Sequence, residues 1–173
     1  MTDLEFVFDG WQGYHSSIVS ALAPLTVEQF GFRLHPEMMS AGELALHLPD
    51  GRGIWFERIQ APGIEPLARE LRDRHQRAPR VFNAAELCNW LERTWQMVKA
   101  TLSQWTVEDL RVTYTHNYQG ANLAVSRQWT IWRIMAHDIH HGGQLSELLA
   151  AQDIFPHGLT WLGGHLTEPK KIP

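Results

Sequence analysis

Two histidines, His137 and His141, stand four residues apart, and the apolar residues around them decide which way they point. Four residues of α-helix turn through about 400°, so the two side chains lie one above the other on one face. Ile131, Ile134, His137, His141, Leu145 and Leu148 follow steps of three and four, the core stripe of an amphipathic helix. Both imidazoles therefore face inward, and the fold must either bury two polar rings or give them a common partner. His140 falls in line with Arg133, Gln144 and Glu147 instead and is expected to face solvent.

A third inward histidine comes from a distant segment. Ser40-Ala41-Gly42-Glu43 reads as Ser-x-x-Glu, a capping box that satisfies free backbone N–H groups at a helix start. On the helix that follows, Leu44, His47, Gly51 and Trp55 keep to steps of three and four, so His47 also lies on the inward stripe. One histidine on such a stripe is ordinarily a hydrogen-bonded core residue. Three unpaired imidazoles in one core would cost ~1–3 kcal/mol each, whereas a shared divalent metal removes that cost. His47, His137 and His141 are therefore the candidate metal ligands. His15, His35, His75, His116, His157 and His165 lack such company and are expected at the surface or in loops, His15 alone lying on a helix that approaches the core.

The two segments Gly42-Glu43-Leu44-Ala45-Leu46-His47 and His137-Asp138-Ile139-His140-His141-Gly142-Gly143-Gln144 resemble the DinB/YfiT-like family of metal-binding four-helix bundles. Its pattern is an early histidine near the start of the second helix and a late HxxxH usually followed by Arg-Gly-Gln. The resemblance implies an all-α, up-and-down four-helix bundle with short extra helical turns and a C-terminal tail. It carries the metal ligands onto His47, His137 and His141, and it implies a homodimer. Here Gly142 stands where the family usually has arginine, and Arg133 where many members have a further histidine.

Composition narrows the class. A chain of 173 residues with a net charge of −4 is long enough for one domain over 1–173 and shows no basic stripe for nucleic acid. The run Arg69, Arg72, Arg74, Arg77 and Arg80 is interrupted by Glu70 and Asp73 and reads as a solvated face. The single cysteine, Cys88, excludes an internal disulfide and reads as a small buried hydrophobe. No apolar run approaches the ~20 residues that span a bilayer, and the acidic N-terminus is unlike a secretory signal, so a cytoplasmic protein with no membrane partner is expected.

Punctuation places four long helices, over about 3–22, from Ser40 through 54–59, from Asn83 to about 104, and from about Ser126 to 152. Pro49 predicts a kink just after His47. Thr26-Val27-Glu28-Gln29 and Thr106-Val107-Glu108-Asp109 read as one-turn helices at the same end of the bundle. Residues 112–115 read as a short extended piece before a turn at Gly120, a loop carries Pro62, Pro66 and Pro79, and the Gly- and Pro-rich tail from Phe155 is expected to pack over the bundle. Most of the eight tryptophans are assigned to packing, with Trp55, two turns past His47, as a pocket candidate.

Three neutral imidazoles leave a metal at least one open position, the mark of a reactive rather than a closed site. Zinc is the first candidate, with nickel, iron or manganese as alternatives. The resemblance implies transfer of a low-molecular-weight thiol to an electrophilic small-molecule substrate. The alternatives are a metal-dependent hydrolase using metal-bound hydroxide and a non-enzymatic metal or small-ligand binding protein. Asp138, next to a ligand, and Gln144, at the end of the motif, are the candidate outer-shell residues, and each reads equally well as surface polar.

Overall fold

Side-chain caps set the helix starts in this chain. The computed structural model describes residues 3–75 and 82–161. Its elements are α1 (Asp3–Val7), α2 (Asp9–Leu22), α3 (Val27–Gly31), α4 (Ala41–Arg58), α5 (Ile64–His75), α6 (Ala84–Gln104), β1 (Thr113–Tyr118), β2 (Ala121–Ser126), α7 (Arg127–Ala150) and α8 (His157–Thr160). Thr26 and Ser40 form complete capping boxes with Gln29 and Glu43, while Asn83 and Ser126 accept from the backbone N–H of Glu86 and Trp129.

The expected first helix is divided at Phe8, which leaves helical geometry at φ −104° and ψ 15°. The second passes through Pro49 as one element, held on both sides of the proline by buried Leu44, Leu48, Arg52 and Phe56. The segment read as a proline-bearing loop contains α5. Pro66 lies in its first turn, where a missing N–H breaks nothing, and Ile64, Leu67, Ala68 and Leu71 are buried. Arg72 and Arg74 on α5 pair with Glu57 and Asp50 of α4, whereas Pro79, Arg77 and Arg80 lie outside the described residues. The extended piece is one strand of an antiparallel hairpin, Thr113 opposite Ser126 and Tyr118 opposite Ala121, closed by Gln119 and Gly120 at positive φ. Its second strand alternates only briefly, through Ala121, Leu123 and Val125 with Ala124 interrupting, and only Val125 on it is buried. The start of the tail, α8, packs on α2 and α7 through Leu159. Residues from 162 on, His165 among them, lie outside the description.

α2, α4, α6 and α7 form the expected four-helix bundle, with α4 packed between α6 and α7 and α2 facing both of these from the opposite corner. Trp11 and Tyr14 of α2 meet Asp138 and Ile139 of α7, so these two helices run parallel. Arg52 of α4 reaches Leu91 of α6, and Gly42 approaches Phe82 just before α6, so these two are also parallel. His15 and Val19 of α2 meet Glu92 and Cys88 of α6 in reverse order. The sense is up, down, down, up, because α5 returns the chain along the bundle between its second and third helices. For the same reason α3, after α2, and the 3-10 turn Asp109–Arg111, after α6, sit at opposite ends and not at one.

The interior has two apolar layers. One is built around Trp11, Phe56, Trp95, Ile131 and Ile134, the other around Ile18, Leu22, Phe30, Leu48, Leu91 and Leu145. Between them lies a buried polar cluster. Arg52, at 0% exposure, donates through Nε to Asp138 Oδ2 at 2.9 Å, with Nη2 2.8 Å from the same oxygen. Its Nη1 donates to the Leu91 carbonyl and to His15 Nδ1, both at 3.2 Å. Arginine has no acceptor, so His15 carries its proton on Nε2 and donates to Glu92 Oε2 at 3.0 Å. Trp11 Nε1 donates to Asp138 at 2.8 Å. Burial, then the adjacent Arg52 charge, push the His15 pKa down to about 4, so the ring is neutral and stacks on Trp95. Burial is the largest single influence and would raise Asp138, but the Arg52 charge together with the hydrogen bonds made to the carboxylate outweighs it and holds the carboxyl below its ordinary range.

Two sequence expectations change here. His15 is buried inside the core instead of at its edge. Asp138, one residue off the apolar stripe, is fully buried because α7 packs against both α2 and α4 and so hides more than one stripe. Removing one member of a buried ion pair leaves the other charge unpaired. Asp138→Ala is therefore expected to lower the urea-unfolding free energy by about 3–5 kcal/mol, and the Arg52→Met, Asp138→Leu double variant by less than Asp138→Ala. A double variant that loses more than Asp138→Ala would refute this account of the cluster.

Candidate metal centre

The capping box at Ser40 fixes where α4 begins and so brings His47 into its second turn, opposite the HxxxH of the antiparallel α7. There the structure gathers the three predicted histidines. One ring nitrogen from each of His47, His137 and His141 lies within 4.8 Å of the others, and all three residues are half-buried. The ring centroids stand 4.4–4.8 Å apart. His137 Nε2 and His47 Nε2 are 3.1 Å apart, close to the roughly 3.3 Å that tetrahedral geometry sets between two nitrogens on zinc. At that distance the two nitrogens hydrogen-bond if one ring carries its proton on Nε2, and a cation can bridge them if neither does.

Neighbouring residues fix the rings. His141 Nδ1 donates to Gln144 Oε1 at 2.7 Å, which leaves Nε2 with its lone pair free. Burial foremost, with the neighbouring histidines, holds the His141 pKa down to about 4, so the ring is neutral near pH 7. His137 Nδ1 and Asp138 Oδ1 are buried, have no hydrogen-bond partner, and face each other at 3.7 Å. A cation on His137 Nε2 makes Nδ1–H a stronger donor toward that carboxylate, the usual outer partner of a ligating imidazole. The donor set, the close approach of the two Nε2 atoms and the orphaned polar atoms all fit a divalent metal.

Gly51 makes room for the cluster. A Cβ placed there would lie 2.6 Å from His137 Cε1, so the His137 ring rests against bare backbone one turn beyond His47. Gly51 was visible in sequence as a glycine on the inward stripe, but its role needs the helix opposite. Gly142 has a similar explanation: a Cβ there would lie 2.2 Å from the Tyr14 hydroxyl, which donates to the Ile139 carbonyl at 3.0 Å. An arginine at position 142 would therefore displace Tyr14. Arg133, where a further histidine was noted as common, lies over the rings of Trp55 and Trp129.

The remaining candidates divide. Gln144 is exposed yet bound to His141, and His140 is exposed with its ring beside His141. Trp55 is half-buried away from the three-histidine group, between His116 and Trp129 and under Arg58 and Arg133. Arg52 and Trp11, which hold Asp138 beside His137, were not read as site residues. The one sequence signal for them was Arg52 standing four residues after Leu48 and four before Phe56, a charge in line with large apolar residues.

Comparison with known proteins agrees with this architecture. The DinB superfamily profile matches residues 15–145, from α2 through both histidine-bearing helices. A crystal structure of a DinB-like protein from Bacillus cereus ATCC 10987 is similar at a TM-score of 0.65 and 17% identity, over 86% of this chain and 92% of that one, which shows a shared fold. No curated protein sequence matches the chain. With both histidine segments inside a match that takes in most of its length, this chain belongs to the DinB superfamily.

Proposed function

We propose that this chain is a cytoplasmic metal-dependent enzyme that transfers a low-molecular-weight thiol to an electrophilic small molecule at the three-histidine centre. The observation that carries the reading is the donor set. Three imidazoles converge, and among the described residues no fourth His, Cys, Asp or Glu joins them, so a bound divalent metal keeps a position for an outside ligand. A metal held there, with zinc the first candidate and nickel, iron or manganese as alternatives, supplies Lewis acidity that lowers the pKa of a thiol.

The chain's own residues do the rest. His47, His137 and His141 would each offer one ring nitrogen, Gln144 fixes the tautomer of His141, and Asp138 stands ready to accept from His137 Nδ1. Trp55 walls the neighbouring stretch of the α4–α7 seam toward the hairpin. In the transfer, the thiolate sulfur bonds to the electrophilic carbon, the bond to the leaving group breaks with its electron pair, and the thiol proton passes to solvent. The thiol must come from outside the chain, because burial raises the Cys88 pKa and its Sγ faces the Val19 carbonyl on α2.

The reading includes a homodimer. On the outer face of α7, Trp132 and Ile139 are 58% and 51% exposed and follow a seven-residue step. Two such faces packed together would cover them. Light scattering should give the mass of two chains, reduced to one by Trp132→Glu. A wild-type monomer at micromolar concentration contradicts the dimer.

Metal content of untagged protein tests the ligands. One divalent ion per chain is expected. It should be lost in His47→Ala, His137→Ala and His141→Ala, sharply weakened in Gly51→Ala because the new methyl displaces the His137 ring, and kept in His140→Ala. Undiminished metal in His47→Ala would rule out the three-histidine centre.

The reaction is tested on cobalt-substituted protein. Millimolar thiol should produce a sulfur-to-metal charge-transfer band and support thiol consumption with an electrophile. Inhibition by thiol, together with ester cleavage that rises through a pKa near neutrality, would assign a hydrolase instead. An unchanged spectrum and a flat ester rate would leave a binding protein.

A further inference from the structure

We infer that the centre takes a neutral, amphiphilic small molecule whose polar head reaches the three histidines and whose alkyl or aryl tail lies under the segment joining α3 to α4. This rests on the metal-centre reading above and adds the substrate class.

The connecting segment holds its own shape. Arg33 Nη1 donates to the Met38 carbonyl at 2.9 Å, the Met38 N–H to the His35 carbonyl at 2.9 Å, and the Ala41 N–H to the Phe32 carbonyl at 3.0 Å. The Arg33 guanidinium also pairs with Glu43 of the capping box at 3.2 Å. So fixed, the segment exposes three large apolar side chains, Leu34 (54%), Met38 (48%) and Met39 (45%). Three such residues in so short a stretch do not serve the bundle core, which is filled without them.

They line a ligand-sized space. Together with Leu44 and Leu148 they bound a cleft of about 460 Å³ that has His141 and Gln144 in its wall. Met38 and Met39 also border a second cleft of about 330 Å³ whose wall includes His47. The two methionines thus bridge the spaces on either side of the histidine group. A volume of this order suits a small molecule, and apolar walls with a few convergent polar groups are how such sites are built. Methionine adapts to tails of different shape, so the selection is by class and not by outline.

Charge narrows the class. Among the described residues the one cation lining these clefts, Arg33, is paired with Glu43, and Glu37, Asp50 and Glu147 also border them. An anionic tail would meet carboxylates and no free cation, and a tail of either charge would lose its hydration against Leu34, Met38, Met39, Leu44 and Leu148, so the tail is uncharged.

The probes are n-alkyl hydroxamic acids, from acetohydroxamic to octanohydroxamic acid, titrated into the cobalt-loaded protein and followed by its visible spectrum. Each added methylene should tighten binding about fourfold until the cleft is full. In the Met38→Asp, Met39→Asp double variant the gain should fall below about twofold per methylene, with acetohydroxamic acid still bound, because both side chains are exposed and outside the core. Equal affinity at every chain length, or an undiminished gain in the double variant, overturns the inference while leaving the metal centre intact. Failure of cobalt to bind removes the metal centre itself and the inference with it. A change of molecular mass in the double variant without loss of chain-length dependence assigns the patch to a second copy of the chain, and also overturns the inference.

Discussion

A guanidinium with no exposure to water sits where the four long helices meet, and the rest of the fold is arranged around satisfying it. Arg52 belongs to α4, and each of the other three helices answers it: Asp138 from α7, His15 from α2 and the Leu91 carbonyl from α6. Each contact is directional, so together they set the register of every helix against α4. Apolar packing alone is less specific, since neighbouring leucines can exchange places at small cost. The cluster lies between two apolar layers, and any slip along the bundle would strand a charge in hydrocarbon.

The three-histidine group inherits its geometry from that register. Asp138 is locked by Arg52 and Trp11, and the residue before it is His137, so the ion pair that aligns α4 with α7 also orients a candidate ligand. Close approach is completed by subtraction. Gly51 carries no side chain where His137 needs space, and Gly142 none where Tyr14 does. The result is a half-buried triangle of imidazoles, in which burial holds the His141 pKa down to about 4.

Much of this was legible in the sequence, and the exceptions have physical reasons. Ser40, Asn83 and Ser126 announced their helices because a cap is a local interaction, and the stripes carrying His47, His137 and His141 were readable because burial repeats with the helical period. The helix α5 was hidden by Pro66, whose position in a first turn makes it harmless. The second strand was hidden because its alternation through Ala121, Leu123 and Val125 is short and interrupted by Ala124. Asp138 and His15 were misjudged because a helix touching two neighbours buries a wider face than one stripe, and a polar residue there is recognised only through its partner. The parallel course of α4 and α6 depends on α5, so the order of senses could not be read without it.

X-ray absorption at the metal edge of untagged protein tests the central claim most directly. The account predicts three imidazole nitrogens at about 2.0–2.1 Å with the outer-shell scattering of the rings, one or more further light atoms, and on addition of thiol a sulfur at about 2.3 Å in place of a light atom. A spectrum without imidazole scattering, or one dominated by carboxylate oxygen in the protein as purified, would contradict it.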